Sequence, residues 1–150
     1  MIVPFDFGSQ LPAILPELAL TLLAIIVLAS DVGFLGIPPL AESRKNLISV
    51  IAGLGMLLIA VVPLISNPDN SLVWGGMIRH DVISQVFKVM VIIAGGITCL
   101  VAGNTRDLER KGEFYLIIIV STLGASLLSA AADLIMIFVA LETISIPLYV

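Results

Sequence analysis

The sequence predicts an all-α fold, a polytopic membrane helix bundle of about five transmembrane helices with the N-terminus outside. Three observations predict it. The first is composition: the 150 residues are 59% hydrophobic and 12% charged, with a mean hydropathy of +1.18. A soluble domain usually carries about 25% charge, so this chain has too few polar groups to cover a water-facing surface. The second is the recurrence of apolar runs of the length that crosses a hydrocarbon core, roughly 20 residues as a helix. The third is an uneven placement of Arg and Lys between those runs.

The first run is Leu11 to Ala29, closed by Ser30-Asp31-Val32-Gly33. Asp6 precedes any basic residue, which is unlike a secretory signal, so this run is expected to be a retained helix. The second is Leu47 to Ile65, closed by Ser66-Asn67-Pro68-Asp69-Asn70. The third is Val82 to Ala102, closed by Gly103-Asn104, and the fourth is Phe114 to Ala132. The fifth runs from Leu134 to Val150, and only Asp133 separates it from the fourth, so the two form a tight hairpin. Backbone polar groups exposed to lipid have no water to bond, which makes all five runs helical.

Arg44 and Lys45 lie between the first and second runs, and Arg106, Arg110 and Lys111 between the third and fourth. The loop Ser66 to Asp81 holds only Arg79. Cytoplasmic loops collect basic residues, so those two loops face the cytoplasm. On the fourth run Ser121, Ala125 and Ser129 repeat every four residues, as do Thr122, Ser126 and Ala130. Small residues at that spacing let membrane helices approach closely, and Gly53, Gly55, Gly95 and Gly96 add further points of approach.

Several function classes are disfavoured. A net charge of -4 without a basic patch does not suit nucleic acid. Cys99 alone forms no internal disulfide and no metal cluster, and it reads as a small packing residue. No metal-binding or cofactor-binding residues are assigned. His80 sits in an outer loop beside Asp81, and no nucleophile–base arrangement accompanies it.

Four ionisable residues fall at or within the apolar runs. Glu17 follows Pro12 and Pro16 near the outer face, where an acid suits the positive end of a helix dipole. Asp133 is placed to supply an N-cap oxygen to the fifth helix. Lys88 lies about 9 Å into the third helix, within reach of the outer interface by snorkelling. Glu142 lies about 12 Å into the fifth, near mid-bilayer, and its side chain is too short to reach either interface. A charge at that depth costs roughly 2.5–3.5 kcal/mol on insertion scales and marks function by default. Low dielectric penalises the charged form of an acid, and a carboxylate poised between its two forms is what a proton carrier needs. Glu142 is therefore the candidate proton-transfer residue. Ser145, one turn on, is placed to hold a water beside it, and Pro147 frees the carbonyl of Thr143 by lacking an N–H. The bland alternative is a protonated glutamate held between helices. Lys88 is a candidate ion-pair partner for Glu142 should the third and fifth helices touch, since their depths are similar.

Residues Gly112 to Val150, GEFYLIIIVSTLGASLLSAAADLIMIFVALETISIPLYV, closely resemble the fourth and fifth helices of subunit N of the proton-pumping NADH:quinone oxidoreductase, complex I. LPELALTLLAIIVLASD (Leu15 to Asp31) is similar to that subunit's opening helix, and Arg79-His80-Asp81 followed by Phe87-Lys88 to the start of its third. The three stretches keep order and spacing over most of the chain. The resemblance implies membership of the antiporter-like subunits, with three leading helices (residues 1–111) before the start of a first five-helix repeat (residues 112–150). It implies that Glu142 pairs with a buried lysine of a later helix, which this chain does not contain. The chain then reads as a truncated N-terminal part, and an isolated copy is not expected to pump. The resemblance also implies that NADH, FMN, iron–sulfur clusters and quinone belong to partner subunits. The partners would be other membrane subunits of complex I and the lipid bilayer, with no nucleic acid, in the plasma (inner) membrane of a prokaryote. Alternatives are a related multisubunit cation/proton antiporter, a membrane-bound hydrogenase arm, or an inert structural bundle.

Overall fold

A computed structural model describes residues 7–33, 41–103 and 112–149. Arg106, Arg110 and Lys111, part of the charge asymmetry, lie outside the described residues. Among the described residues four helices are long and apolar enough to cross a membrane: α1 (Phe7–Gly33), α2 (Ala41–Ile59) continued by α3 (Val62–Ile65), α4 (Val82–Ala102) and α5 (Gly112–Ala130). A shorter apolar helix, α6 (Leu134–Ser145), follows and passes into a 3-10 turn at Ile146–Tyr149. The fold class is the one the apolar runs predict.

The break between α2 and α3 has a local cause. Pro63 has no N–H to give to the carbonyl of Ile59. The chain bridges the gap with tighter bonds, Val61 N–H to Leu58 at 3.2 Å and Leu64 N–H to Val61 at 3.1 Å. Pro147 acts likewise on α6, whose α-helical ladder ends at Ser145.

Helices α1, α2, α4 and α5 form the body of the bundle, with α1 against α2 and α5, and α4 against α2 and α5. Leu20, Val27, Ala52, Met56, Ile92, Cys99 and Ile119 fill its centre. Cys99 is fully buried, as its apolar setting predicts, with its sulfur 3.9 Å from that of Met56. The α2–α4 contact depends on glycine. A Cβ on Gly53 would lie 3.1 Å from the carbonyl oxygen of Gly96, and one on Gly96 would lie 3.2 Å from that of Gly53. On α5 the row Thr122, Ser126, Ala130 is buried, and the row Ser121, Ala125, Ser129 is half-buried. Helix α6 packs along α5 and stands at the edge of the bundle, with Leu134, Ile135, Phe138 and Leu141 exposed.

The loop before α4 is more structured than its sequence suggests. Strands β1 (Ser71–Val73) and β2 (Ile78–His80) pair antiparallel, Val73 opposite Ile78. The turn between them uses positive φ at Trp74, Gly75 and Gly76. Alternation turns Val73, Ile78 and His80 inward and Arg79 outward. The backbone N–H of Trp74 donates to the side-chain oxygen of Gln10, and its indole N–H donates to the Gln10 carbonyl. Ala132 N–H donates to the Met77 carbonyl at 2.9 Å. The hairpin thus ties the start of α1 to the α5–α6 turn and covers one end of the bundle.

Candidate functional site

Beneath that hairpin, α1, α4 and α5 bring three polar side chains together inside an apolar bundle. The Lys88 ammonium donates to Oε1 of Glu17 at 2.8 Å and to the carbonyl of Ala13 at 2.8 Å. The Ser126 hydroxyl donates to the same Glu17 oxygen at 2.7 Å. The side chains of Lys88 and Glu17 are only 5% and 6% exposed, so the pair is buried within the bundle. Among the described residues Glu17 Oε2 has no hydrogen-bond partner.

Each member is positioned by its own helix. Ala13, Glu17 and Leu20 share the buried face of α1, and the small Ala13 leaves its carbonyl open to a second donor. On α4, Asp81 accepts from the backbone N–H of Ser84, whose hydroxyl reciprocates to the Asp81 N–H, and this capping box fixes the first turn below which Lys88 projects. Ser126 belongs to the buried small-residue row of α5, which lets that helix come close to α1.

The geometry revises four expectations. Lys88 does not snorkel and does not pair with Glu142; it is 4% exposed and held by Glu17 and Ala13. Two good hydrogen bonds to a buried carboxylate and carbonyl outweigh the gain from rehydrating the ammonium. Glu17 is not a dipole residue. Helix α1 begins at Phe7, ten residues earlier, and has no acid in its first turn, whereas dipole interactions fade beyond that turn. Asp133 does occupy the N-cap of α6, but its side chain makes no capping bond there. The fourth concerns α6 itself, which packs chiefly on α5, so that Lys88 is engaged by Glu17 and not by Glu142.

Glu142 lies on the exposed side of α6, and among the described residues its carboxylate meets no polar group from another helix. Thr143 donates its hydroxyl to Val139 at 2.8 Å, and Ser145 donates to Leu141 at 3.0 Å and approaches the Glu142 carbonyl at 3.3 Å. Pro147 is buried. The four residues therefore share one stretch of α6 and its 3-10 extension, separate from the Glu17–Lys88 pair. Among the described residues no group of three or more His, Cys, Asp or Glu gathers. His80 is 8% exposed, with Nε2 3.2 Å from the Asn67 carbonyl.

The Glu17–Lys88 pair is a buried polar feature that the sequence alone did not bring together. A signal existed: two opposite charges within the first and third apolar runs. Hydropathy ranks such residues singly and carries no information on which helices touch.

No family model matches the chain. The chain is similar to NADH-quinone oxidoreductase subunit N of Anaeromyxobacter sp. (strain Fw109-5), 30% identical over 90% of this chain and 26% of that protein. It is 34% identical to NADH-quinone oxidoreductase subunit N 2 of Koribacter versatilis (strain Ellin345), over 91% of this chain and 29% of that one. NAD(P)H-quinone oxidoreductase subunit 2 of Gloeobacter violaceus is 32% identical over 89% and 26%. The chain thus spans between a quarter and a third of the length of these curated relatives. Sustained identity across nine-tenths of a polytopic bundle places the chain in the family of NADH-quinone oxidoreductase subunit N.

Proposed function

We propose that the chain is part of a proton-translocating membrane subunit of NADH:quinone oxidoreductase, with Glu142 as its proton-transfer residue. The observation that carries this reading is the identity to subunit N along nearly the whole chain. It favours the quinone-linked complex over the antiporter and hydrogenase alternatives. On this reading residues 1–111 supply three leading helices, and residues 112–150 open an antiporter-like repeat. Electrons pass from NADH through FMN and iron–sulfur clusters to quinone in partner subunits. The subunit sits in the plasma membrane of a prokaryote among the other membrane subunits.

Glu142 suits the role because it is an acid on an otherwise apolar helix at the open edge of the bundle. A carboxylate there is unstable against bare lipid, so the open face of α6 calls for a partner that supplies polar groups or water. Helices of the same complex packed on that face would provide them. Pro147 ends the helical ladder within two turns of the acid and leaves backbone acceptors for water nearby.

The test is Glu142→Gln in the intact complex. The expected result is normal assembly with proton pumping lowered about tenfold or more, the usual loss when a positioned proton-transfer group is removed. Unchanged turnover and an unchanged proton-to-electron ratio would leave Glu142 a structural residue.

A further inference from the structure

The oxygen Oε2 of Glu17 poses a separate problem. It is buried in a residue 5% exposed and has no donor among the described residues. An unmade bond to a buried, charged acceptor is among the costliest defects a fold can carry. Lys88 shows the complementary gap. An ammonium has three N–H donors, and two of them are directed to Glu17 Oε1 and the Ala13 carbonyl. One acceptor and one donor are thus left over at the same pair. The pair is neutral as a whole, so no ion is needed to balance it. A molecule that can donate to the carboxylate and accept from the ammonium satisfies both, and water is the smallest that does.

A polar seam leads from the pair to the hairpin end. Ser126, bonded to Glu17, is followed by Ser129, whose hydroxyl donates to the Ser126 carbonyl at 2.7 Å and lies 3.5 Å from the Ser84 carbonyl. The Ser84 hydroxyl lies 2.9 Å from the Asp81 carbonyl and 3.2 Å from that of Arg79. Arg79 and Asp81, with Asn70, Ser71 and Leu72, line an open polar cleft of about 290 Å³. Hydroxyls and carbonyls therefore run between α4 and α5 from the outer cleft to the buried carboxylate.

We propose that Glu17, Lys88 and Ser126 form a hydrated proton-exchange site, with a water on Glu17 Oε2, that communicates with the hairpin face along the α4–α5 seam. A proton from the outer solution forms the O–H bond on Oε2, and the donating water regains a proton from the next water along the seam. The carboxylate becomes a neutral acid beside the Lys88 ammonium, and release reverses the step. Few charged groups face the site. Lys88 comes from α4, and α5 presents the Ser126 and Ser129 hydroxyls. Among its described side chains helix α2 buries only apolar ones and Ser49, and Arg79, His80 and Asp81 stand at the outer end. The site does not depend on what Glu142 does.

The test is solid-state NMR of the intact complex in lipid, with 13C-labelled glutamate. The Glu17 carboxyl signal is assigned by its loss in Glu17→Gln, or in Glu17→Gln/Lys88→Gln if the single variant fails to assemble. The expected result is a water-to-carboxyl contact, through which the Glu17 site exchanges protons with the surrounding water. Ser129→Val, which removes a seam hydroxyl but none of Glu17's own contacts, should slow proton exchange several-fold. Glu142→Gln should leave the Glu17 signal unchanged, so failure of either site is read separately. A dry carboxyl, or proton exchange unchanged in Ser129→Val, would overturn the proposal and leave a static strut.

Discussion

Glu17 and Lys88 are 71 positions apart and meet at 2.8 Å, and this contact sets the residue-scale logic of the bundle. A buried pair adds little net stability relative to apolar residues of the same volume, because desolvation cancels the attraction. Removing one member is different, since it strands the other charge. Lys88→Met is therefore expected to destabilise the bundle by about 3–5 kcal/mol. The double variant Glu17→Leu/Lys88→Met should recover most of that loss, and denaturant titration in lipid-like micelles would measure both. Equal losses in the single and double variants would show that the side chains act independently. The sequence makes each charge visible as an exception in an apolar run, yet it leaves the pairing open. Depth along the helices put Lys88 level with Glu142 as readily as with Glu17. Only helix adjacency decides between them, and adjacency is a property of packing.

At the scale of elements, the helices were legible because they follow from apolar length, whereas the break inside the second run was not. Apolar length marked the spans, and Pro63 and Pro147 break their ladders through a missing N–H. The hairpin over residues 71–80 was not legible. Its strands are three residues each, too short for alternation to stand out, and it is held by Gln10 and Ala132 from distant parts of the chain. The junction of hairpin and α4 yields a pH prediction. Burial of the Asp81 carboxyl works to raise its pKa. The Ser84 backbone N–H and hydroxyl, with the Arg79 guanidinium, outweigh that effect and hold the group below its ordinary value of 3.8. A group depressed on folding stabilises the fold above its unfolded value, and that contribution disappears as pH falls through the folded one. The first turn of α4 is therefore expected to stay protected at neutral pH and to fray below about pH 4. Amide exchange at Ser84 would report it, and Asp81→Asn should flatten the response. An equally steep response in that variant would assign it to another group.

For the whole molecule, orientation rests on charge, and the hairpin gives a handle to test it. Arg44, Lys45, Arg106, Arg110 and Lys111 fall in the stretches after the first and third apolar runs, and Arg79 in the stretch after the second. Basic residues resist translocation, so the hairpin side should be external. The Glu17–Lys88 pair and the polar cleft lie toward that same side, so orientation also decides which aqueous phase they would face. Met77, at the turn of the hairpin, is 42% exposed, whereas the native Cys99 is fully buried and should stay silent to thiol reagents. A membrane-impermeant maleimide added to intact cells is expected to label Met77→Cys, and to label Arg110→Cys only after permeabilisation. Because Arg110→Cys removes one of the five basic residues of those stretches, Thr105→Cys serves as a charge-neutral control. Labelling of Thr105→Cys in intact cells, with Met77→Cys protected, would invert the bundle. The buried pair would then open toward the cytoplasm, and any proton reaching Glu17 through the seam would come from inside.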